Sequence, residues 1–343
     1  MAQQNYDALL VLSFGGPEKP DDVIPFLENV LRGRNVPRER MLEVAEHYYH
    51  FGGKSPINDQ NRALISGIEG ELARHGPHLP VYWGNRNWHP FLADTLRKMQ
   101  ADGVTRALAF VTSVFSSYSG CRQYLEDIEK ARAEVGASAP CVDKLRSFYN
   151  HPLFIEAQSE HVRAALEKIP ESRRGAAQIF FTAHSVPVTM AESSEYQQQL
   201  NESCRLVAER VGLASWRLVY QSRSGPSNQP WLEPDIGDVL RELNSASDVV
   251  IVPIGFISDH MEVLYDLDTE ARAICEEKGV NMVRAATVGV DPTFLSMIRE
   301  LILERMGQCK ARAIGRFEAS HDECPKDCCP APVRRMSSAR PTA

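Results

Sequence analysis

The chain has 343 residues, which is long enough for two domains of ordinary size or one large one. Its residues are 43% hydrophobic, so a sizeable core can form. Its formal net charge is -7 and no predicted element carries a basic stripe, which argues against nucleic acid as a partner. The sequence has no apolar run near the ~18 residues of a membrane span and no basic region of a signal peptide at its N-terminus. We therefore expect a cytoplasmic protein whose eight cysteines are thiols or metal ligands.

Strand-like apolar runs alternate with helical patterns along most of the chain. The first run, residues 8–14, ends in the turn signal Gly15-Gly16-Pro17, and a helix is predicted to start at Asp21-Asp22. Strands that alternate with helices of this length indicate βαβ units and parallel sheets. The other predicted strands are residues 81–83, 107–114, 179–182, 217–221, 249–256 and 282–285, and the other predicted helices are residues 91–100, 121–133, 153–167, 197–211, 236–243, 261–277 and 294–306.

The chain contains an internal repeat. Residues 88–97 resemble residues 231–241, because each segment begins at a tryptophan and ends in Leu-Arg. Each is followed by an apolar strand with a Phe-x-Ser sequence at its end. We interpret the repeat as two similar Rossmann-like lobes that face each other across a central cleft. The alternative is that βαβ units resemble one another by default.

The predicted fold class is therefore α/β, with a parallel sheet in each of two lobes. We expect residues 1–150 to form the first lobe and residues 151–313 the second, whose last helix is able to pack back on the first. Residues 314–343 are rich in Cys, Pro, Ser and Arg and lack long apolar periodicity, so we expect a cysteine-rich C-terminal extension.

Three carboxylates recur every four residues in the helical pattern after the strand at 249–256: Glu262, Asp266 and Glu270. On an α-helix this spacing places them in one row, roughly 6 Å apart. Because ligands bind beyond the strand ends of open α/β sheets, the row indicates a site that handles a cation or protons. The alternative is a solvated acidic face of a helix.

A histidine, His184, ends the buried run at 179–184, just before the chain turns at Pro187. A neutral imidazole at this position can accept a proton near pH 7 or bind a transition metal, although a lone histidine is more often structural. The sequence has no G-x-G-x-x-G after its first strand and no Walker A motif, so neither NAD nor ATP is indicated. It also lacks the G-x-S-x-G elbow and an HExxH motif.

Taken together, these motifs resemble the ferrochelatases, which insert Fe(II) into a porphyrin. The resemblance implies a lyase-type metal chelatase with the type II chelatase fold, Fe(II) as a substrate, and no redox or ATP step. It is greatest to members from actinobacteria and other Gram-positive-like lineages, which implies coproporphyrin III as the substrate and coproheme as the product; protoporphyrin IX, giving protohaem, is the alternative. The matching segments are residues 12–17, 50–58, 84–87, 119–124, 182–187, 221–226 and 255–268.

The resemblance implies roles for the histidine and the acidic row. His184 and Glu262 would bind Fe(II) from opposite faces of the macrocycle. His184 would also accept pyrrole protons, because its ordinary pKa of about 6.5 is near the working pH. Asp266 and Glu270 would relay metal or protons between solvent and Glu262.

Four further residues are candidate porphyrin contacts. Ser55 and Tyr124 fall where ferrochelatases contact Fe-coproporphyrin, with a turn or cap role and a helix contact as their alternatives. Arg86 and Arg223 are suited to pair with propionates, or to brace a loop. Some coproporphyrin enzymes place a tyrosine ligand near the chain start, where this chain has Phe14, so we expect an apolar site there.

The C-terminal extension contains a dense group of thiols, which suits an iron–sulfur cluster or zinc. Many related ferrochelatases carry a [2Fe–2S] cluster on such an extension, with a fourth cysteine inside the domain. The resemblance therefore implies this cofactor here, and zinc or an unused thiol tail are the alternatives. The tail ligands would be Cys324, Cys328 and Cys329, and the candidates for the fourth are Cys204 or Cys309, followed by Cys121.

Other functions share these residues. One is a chelatase that inserts cobalt or nickel into a sirohydrochlorin-like ring, and another is a haem or metal carrier without turnover. A two-lobed small-molecule binding protein is a weaker alternative, since it would carry a signal peptide. Weak peripheral membrane contact through Phe26-Leu27 or Val30-Leu31 is a further hypothesis, although these residues fit a helix core face better. The sequence makes no prediction of the oligomeric state.

Overall fold

Two four-stranded parallel sheets form the centre of the protein. The computed structural model describes residues 5–33, 36–225 and 228–331. The first sheet has the order β2-β1-β3-β4 and the second the order β6-β5-β7-β8, and all neighbouring strands are parallel. The strands are β1 (Ala8–Ser13), β2 (Val81–Asn85), β3 (Arg106–Val111), β4 (Cys141–Lys144), β5 (Gln178–His184), β6 (Arg217–Gln221), β7 (Asp248–Val252) and β8 (Asn281–Arg284).

Helices connect the strands and pack on the sheets. Within the described ranges, no helix is long and apolar enough to cross a membrane. A short 3₁₀ turn precedes α1, and two π-helical segments, Tyr118–Arg122 and Leu264–Ala271, interrupt the α-helical pattern. The α-helices are α1 (Val23–Leu31), α2 (Arg38–His50), α3 (Ile57–His75), α4 (Leu92–Ala101), α5 (Gln123–Val135), α6 (Pro152–Leu166), α7 (Glu171–Arg174), α8 (Val188–Glu192), α9 (Tyr196–Val211), α10 (Ile236–Arg241), α11 (Met261–Val263), α12 (Arg272–Lys278) and α13 (Pro292–Arg305).

The two sheets have the same strand order when β1–β4 are matched with β5–β8. The repeated segments of the sequence correspond to α4 and α10, and each leads into the third strand of its sheet. In both sheets the first strand is central, and it is buried along all or nearly all of its length. The predicted fold of two similar Rossmann-like lobes with parallel sheets is therefore confirmed.

One of the hydrophobic clusters extends through both lobes. It contains Leu9 and Phe110 from the first sheet, Phe181 from the second, and Phe294 from α13. The α13 helix packs against α3 of the first lobe and α6 of the second. Each fully buried phenylalanine contributes about 1.5–3 kcal/mol to the stability of this shared core. Because the core runs across residue 150, the limits 1–150, 151–313 and 314–343 stay a prediction.

Two glutamines on equivalent helices join the lobes. In the first turn of α3, Gln60 donates to the Asp259 carbonyl and accepts from the Asp259 N–H, both at 2.7 Å. In the first turn of α9, Gln199 accepts from the Ser116 N–H at 2.8 Å and donates to its hydroxyl at 3.0 Å. Asp259 follows β7 and Ser116 follows β3. Each glutamine therefore reaches from a helix of one lobe to the segment after a strand of the other.

The chain after α13 is held by buried polar side chains. Arg146 pairs with Glu304 at 2.7 Å, and their side chains are 2% and 3% exposed. Arg146 also donates to the Arg312 carbonyl at 2.8 Å, while Glu304 accepts from the Arg312 N–H at 2.8 Å. Asn150 donates to the Phe317 carbonyl at 2.9 Å. These contacts direct the extension back to the first lobe.

The α1 helix buries the residues considered for membrane contact. Phe26 and Leu27 are 1% and 4% exposed and pack against Met41 of α2. Val30 and Leu31 are partly buried against the same cluster. The structure thus supports the helix core face that was the alternative, because α2 covers the apolar side of α1.

Candidate active site

A close approach between two strand ends builds the candidate site. His184 is the last residue of β5, and the chain after β7 turns at Gly255 beside it. A Cβ atom on Gly255 would lie 2.7 Å from the Cα of Ala183, so only glycine permits this approach. His260 then caps α11 by accepting the Glu262 N–H at Nδ1, at 3.2 Å. The turn thereby brings the start of the acidic helix to the end of β5.

His184 and Glu262 are in direct contact. His184 Nε2 lies 3.6 Å from Glu262 Oε1, and the two side chains are 32% and 44% exposed. On the other side of the ring, Nδ1 hydrogen-bonds to the Ser185 carbonyl, which directs Nε2 to the carboxylate. A macrocycle placed between His184 Nε2 and Glu262 Oε1 would need about 3.5–4.0 Å of van der Waals separation from each of them, which is about twice the observed distance. The prediction that they lie on opposite faces of a macrocycle is therefore wrong, and both lie on one side of the cleft.

The pair is charged at neutral pH. Burial lowers the pKa of His184, but the Glu262 carboxylate and the Ser185 carbonyl more than offset this and raise it to about 9. Burial raises the pKa of Glu262, but His184 outweighs it and the pKa falls to about 2. Burial and the charge of His184 lower the pKa of the neighbouring His260, so that ring is neutral and accepts its capping hydrogen bond. An imidazolium therefore faces a carboxylate.

The acidic row lies on a continuous helical segment, but its centre is a π-helix. Leu264–Ala271 has the wider π geometry rather than the predicted α geometry, and the Thr269 hydroxyl also donates to the Leu264 carbonyl at 3.2 Å. The row persists, since the Glu262 and Glu270 charges both raise the pKa of Asp266. Glu270 is exposed, so the row extends from the cleft to solvent.

Asp266 is the member of the row that titrates near neutral pH. Burial, followed by repulsion from Glu262 and Glu270, raises its pKa to about 7 against the effect of its hydrogen bonds. The Ser222 hydroxyl donates to this carboxylate, and Gln221 donates to it at 3.3 Å. Ser222 has a positive φ of 62°, a conformation that is often retained at functional sites. Burial also raises the pKa of Glu270, with a further contribution from Asp235.

An aromatic group of the first lobe faces the pair. Tyr48 of α2 lies near enough to Glu262 for the carboxylate to raise the tyrosine pKa, in addition to a larger effect of burial. The Tyr48 ring packs on the Phe26 ring, with 5.7 Å between their centres. Phe14 packs on the Phe26 ring as well, with 6.2 Å between their centres. Phe14 thus lies in this aromatic group, but the Arg86 guanidinium is also 5.9 Å from the centre of its ring, so the expected apolar site is only partly apolar. Sequence analysis missed Tyr48, although the aromatic run at 47–51 was a usable signal.

Ser55, one of the candidate porphyrin contacts, is held in a buried turn. Ser55 is 3% exposed, its N–H donates to the Pro17 carbonyl at 2.8 Å, and its hydroxyl accepts the Ile57 N–H at 3.4 Å. Gly16 leaves room for it, because a Cβ there would lie 2.8 Å from the Ser55 Cβ. This geometry supports the turn and cap role, and substrate contact by Ser55 stays a prediction.

Tyr124 and Arg86 form one stacked unit. Arg86 lies over the Tyr124 ring at 4.4 Å, pairs with Asp127 at 2.5 Å, and has a side chain that is 7% exposed. Burial raises the pKa of Tyr124, so the phenol is neutral. This geometry supports the bracing role that was the alternative for Arg86, and the contacts of Arg86 and Tyr124 with a porphyrin stay predictions. Arg223 is 38% exposed, with Glu233 at 3.7 Å and the Gln229 carbonyl at 3.3 Å, and its contact with a propionate stays a prediction.

The fold brings a cysteine of the first lobe to the C-terminal thiols. Cys121 Sγ lies 4.0 Å from Cys324 Sγ, and Cys328 Sγ lies 3.6 Å from Cys329 Sγ. Cys324, and then Cys329, hold the pKa of Cys121 well below its usual value by hydrogen bonding to its sulfur. Cys329 has a positive φ of 52° and is 3% exposed, so its strained backbone turns the thiol inward.

The structure corrects the choice of the fourth cysteine. Cys204 lies fully buried in α9, near Tyr220 of the second sheet. Cys309 is exposed after α13, with its sulfur 4.0 Å from the Glu300 carbonyl. Cys121, the last of the three candidates, is the one that lies beside the tail, because the neighbouring Arg122 hydrogen-bonds to the tail backbone. The Arg122 guanidinium donates to the carbonyls of residues 325, 326 and 328 at 2.5–3.2 Å.

Known proteins resemble this chain in sequence or in fold. The ferrochelatase family model matches residues 6–306. The chain belongs to the ferrochelatase family. It is 56% identical over 342 residues to a ferrochelatase from Rhodopirellula baltica, covering 98% of this chain and 97% of that protein. It is 51% identical to the coproporphyrin III ferrochelatases of Streptomyces coelicolor and Nocardia farcinica, covering 97% of this chain and 96% and 99% of those proteins.

Solved structures of other chelatases share the fold of this family member. SirB from Bacillus subtilis with Fe3+ has a TM-score of 0.53 at 12% identity, covering 89% of this chain and 98% of that chain. The sirohydrochlorin chelatase SirB from Bacillus subtilis subspecies spizizenii, in complex with cobalt, has a TM-score of 0.52 at 12% identity with the same coverage. At this identity the likeness confirms the two-lobed chelatase fold and nothing more.

Proposed function

We propose that this protein inserts Fe(II) into coproporphyrin III and releases coproheme, as a lyase-type ferrochelatase. The observation that carries the proposal is the contact of His184 with Glu262 at 3.6 Å, at the inner end of a row of carboxylates. The relatives from Streptomyces coelicolor and Nocardia farcinica favour coproporphyrin III over protoporphyrin IX, because both bear that substrate in their names at 51% identity.

Fe(II) enters as a substrate along the acidic row. Glu270 is exposed and takes the ion from solvent, Asp266 passes it on, and Glu262 holds it at the ring. Carboxylate oxygens are hard ligands, and one carboxylate at a time binds the ion loosely enough to release it. The Ser222 and Gln221 hydrogen bonds keep Asp266 turned to the row.

Proton removal is coupled to the arrival of the metal. Before Fe(II) binds, His184 is protonated, because Glu262 raises its pKa to about 9. Fe(II) at Glu262 neutralises the carboxylate, so His184 loses its partner and its proton passes to the Asp266 carboxylate, whose pKa burial raises. The neutral Nε2 then accepts a pyrrole proton. Two N–H protons leave the macrocycle for each Fe(II) that enters, and His184 passes both to the row in turn.

Metal entry and proton exit thus use the same face of the porphyrin. A puckered ring turns its nitrogens to one side, and a site that favours this shape resembles the transition state more than the flat product. The aromatic group around Phe14 and Tyr48 supports the other face through apolar contact. Arg223 pairs with a propionate at the rim, where coproporphyrin III carries more propionates than protoporphyrin IX.

Anaerobic Fe(II) insertion under multiple turnover tests the proposal. Coproporphyrin III, protoporphyrin IX and sirohydrochlorin with cobalt are assayed side by side, following loss of the free-base spectrum. We expect the highest kcat/KM with coproporphyrin III, and loss of turnover in His184→Ala but not in the exposed-site control His78→Ala. Stoichiometric binding without turnover would support a carrier, and faster cobalt insertion into sirohydrochlorin would support the other chelatase.

We further propose that Cys121, Cys324, Cys328 and Cys329 hold a [2Fe–2S] cluster. Two thiolates on one tetrahedral iron are about 3.7 Å apart, and the four sulfurs form two pairs at 4.0 and 3.6 Å. Arg122 lies beside the loop, and the Lys144 charge lowers the pKa of Cys121, so cations balance the thiolates. Such a cluster would supply one-electron exchange, which metal insertion does not use.

Reconstitution separates the two choices of fourth ligand. We expect Cys121→Ser to lose the visible absorbance and the acid-labile sulfide of the reconstituted protein, and Cys204→Ser to keep both. The reverse pattern, or no absorbance in the parent protein, would contradict the proposed cluster. Iron and sulfide are quantified in the same samples.

A further inference from the structure

Arg284 binds two carboxylates of the segment that carries the acidic row. It is the last residue of β8, so its side chain starts from the same edge of the second sheet as the candidate site. Its Nη1 donates to Asp259 at 3.0 Å, and its Nε donates to Asp268 at 2.8 Å. Asp259 precedes Glu262 in the chain and Asp268 follows Asp266. One guanidinium therefore spans the part of the chain that contains both row members.

Asp259 is a fixed point for this guanidinium. Arg284 Nη2 donates to it at 3.3 Å and the Thr287 hydroxyl donates to it at 3.1 Å. Its backbone N–H and carbonyl are both bonded to Gln60 of the first lobe. His260, the next residue, caps α11. Arg284 is thus attached to a turn that both lobes hold in place.

Asp268 lies in the part of the row that needs support. The segment Leu264–Ala271 has π geometry, which is rare in proteins compared with the α-helix. Arg284 holds this segment from outside at 2.8 Å, whereas Arg272 is 3.7 Å from the same carboxylate. Because helix geometry sets the direction of each side chain, a return to α geometry would turn Glu270 away from its present position in the row.

We propose that Arg284 is a positioning residue for metal delivery, which keeps Asp266 and Glu270 in line with Glu262. The role rests on the proposed route of Fe(II) along the row. Arg284 acts on the row through Asp268, and Asp259 gives it a fixed anchor. The contact atoms of the guanidinium are bonded to these two carboxylates, so its effect on the row is geometric.

The shape of the arginine side chain is essential to this role. Its guanidinium is a planar fork of five donors, which binds two carboxylates at once, whereas a lysine ammonium is a compact charge on a flexible stem. The Arg284 side chain is 14% exposed, and those of Asp259 and Asp268 are 28% and 25% exposed. Solvent screens such partly buried pairs less than surface pairs. Lysine at this position would keep the charge and lose the bridge.

Anaerobic Fe(II) insertion by the full-length Arg284→Lys protein tests the role. We expect a KM for Fe(II) about 10–100-fold higher, the usual effect of losing a group that orients metal ligands, and an unchanged KM for coproporphyrin III. Asp268→Asn should have the same effect, and the double variant should be no worse than either. Arg205→Lys is the matched control, because Arg205 is 18% exposed and binds Glu202 and Glu209. It should leave both KM values unchanged.

Binding of Mn(II), an ion that prefers oxygen ligands, supplies a readout without turnover. Followed by electron paramagnetic resonance, it should be weaker in Arg284→Lys than in the parent and in Arg205→Lys. Urea denaturation checks the fold of each variant, and Asp268→Asn carries the test if Arg284→Lys does not fold.

Several results would overturn the role of Arg284. They are an unchanged KM for Fe(II) and Mn(II) affinity in the folded variants, an equal rise in the KM for both substrates, equal losses in Arg205→Lys, and additive losses in the double variant. A parent protein that inserts no Fe(II), but whose Mn(II) affinity depends on Arg284, would refute the proposed function and leave the positioning role standing.

Discussion

Replacing Glu262 with glutamine removes the charge that keeps His184 protonated. The two charged atoms are 3.6 Å apart. At an effective dielectric constant of about 20, unit charges at this separation interact by roughly 4–5 kcal/mol, which is about 3 pKa units. Both side chains are about a third or more exposed, so solvent screening reduces this value. We expect the pKa of His184 to fall from about 9 to about 6.5 or lower in Glu262→Gln, because burial then acts with little opposition.

NMR titration of selectively labelled histidine measures this change directly. The ring chemical shifts of His184 are assigned by comparison with His184→Ala and followed from pH 5 to pH 10. Glu270→Gln is the matched control, because Glu270 is not among the groups that act on His184. A His184 pKa that stays near 9 in Glu262→Gln would refute the assignment of this carboxylate as the main cause.

The same ion pair makes the stability of the protein depend on pH. The pKa of His184 is raised above its unfolded value of about 6.5, so its contribution is complete below that pH and is lost as the pH rises through about 9. We expect the free energy of unfolding of the parent protein to fall more steeply between pH 6.5 and pH 9 than that of Glu262→Gln. Urea denaturation at a series of fixed pH values measures the free energy of unfolding of both proteins. If this free energy falls by the same amount with pH in both, the expectation is contradicted.

Three further changes test the row, the lobe contacts and the tail. Asp266→Asn should raise the KM for Fe(II) without raising that for the porphyrin, and should remove an ionisation near pH 7 from the pH–rate profile. Gln199→Leu should lower the free energy of unfolding by about 1–3 kcal/mol, because the partly buried Ser116 N–H and hydroxyl lose their partner. Arg146→Met should cost about 3–5 kcal/mol, because it leaves the buried Glu304 without its guanidinium partner, and should expose the tail to protease.

Each of these expectations has a result that contradicts it. An unchanged KM for Fe(II) in Asp266→Asn would remove that carboxylate from the metal route. A Gln199→Leu protein as stable as the parent in urea would show that this bridge adds nothing to stability. A double variant, Arg146→Met with Glu304→Leu, should recover most of the loss, since it removes both charges; failure to recover would point to lost packing instead.

Local patterns were enough to predict most of the strands and helices. The central strands β1, β5 and β7 are short apolar runs that are buried in the structure, and α4, α9 and α13 follow helical periodicity. By contrast, α3 was missed because its buried face is partly polar. Asn58 and Asn61 are buried there with partners at the end of β1, the Gly16 carbonyl and the Ser13 hydroxyl, and sequence periodicity does not register such pairs.

The chemistry of the candidate site was also visible in the sequence, but its geometry was not. His184 and Glu262 were identified by residue type, strand ends and motif resemblance. Their separation depends on Gly255, in the turn after β7, lying against Ala183 of β5, and these two residues are far apart in the chain. The role of Arg86 likewise depends on Asp127, which occupies its guanidinium.

The sequence by itself determined the α/β class, the repeated lobes and the residue types of the site, because these follow from short-range periodicity and from motifs a few residues long. Only the tertiary structure decided that His184 and Glu262 share one side of the cleft and that Cys121 rather than Cys204 meets the tail. The reason is physical. Which distant side chains touch is set by packing and buried hydrogen bonds, such as those of Arg122 and Arg146, and no spacing along the chain encodes them.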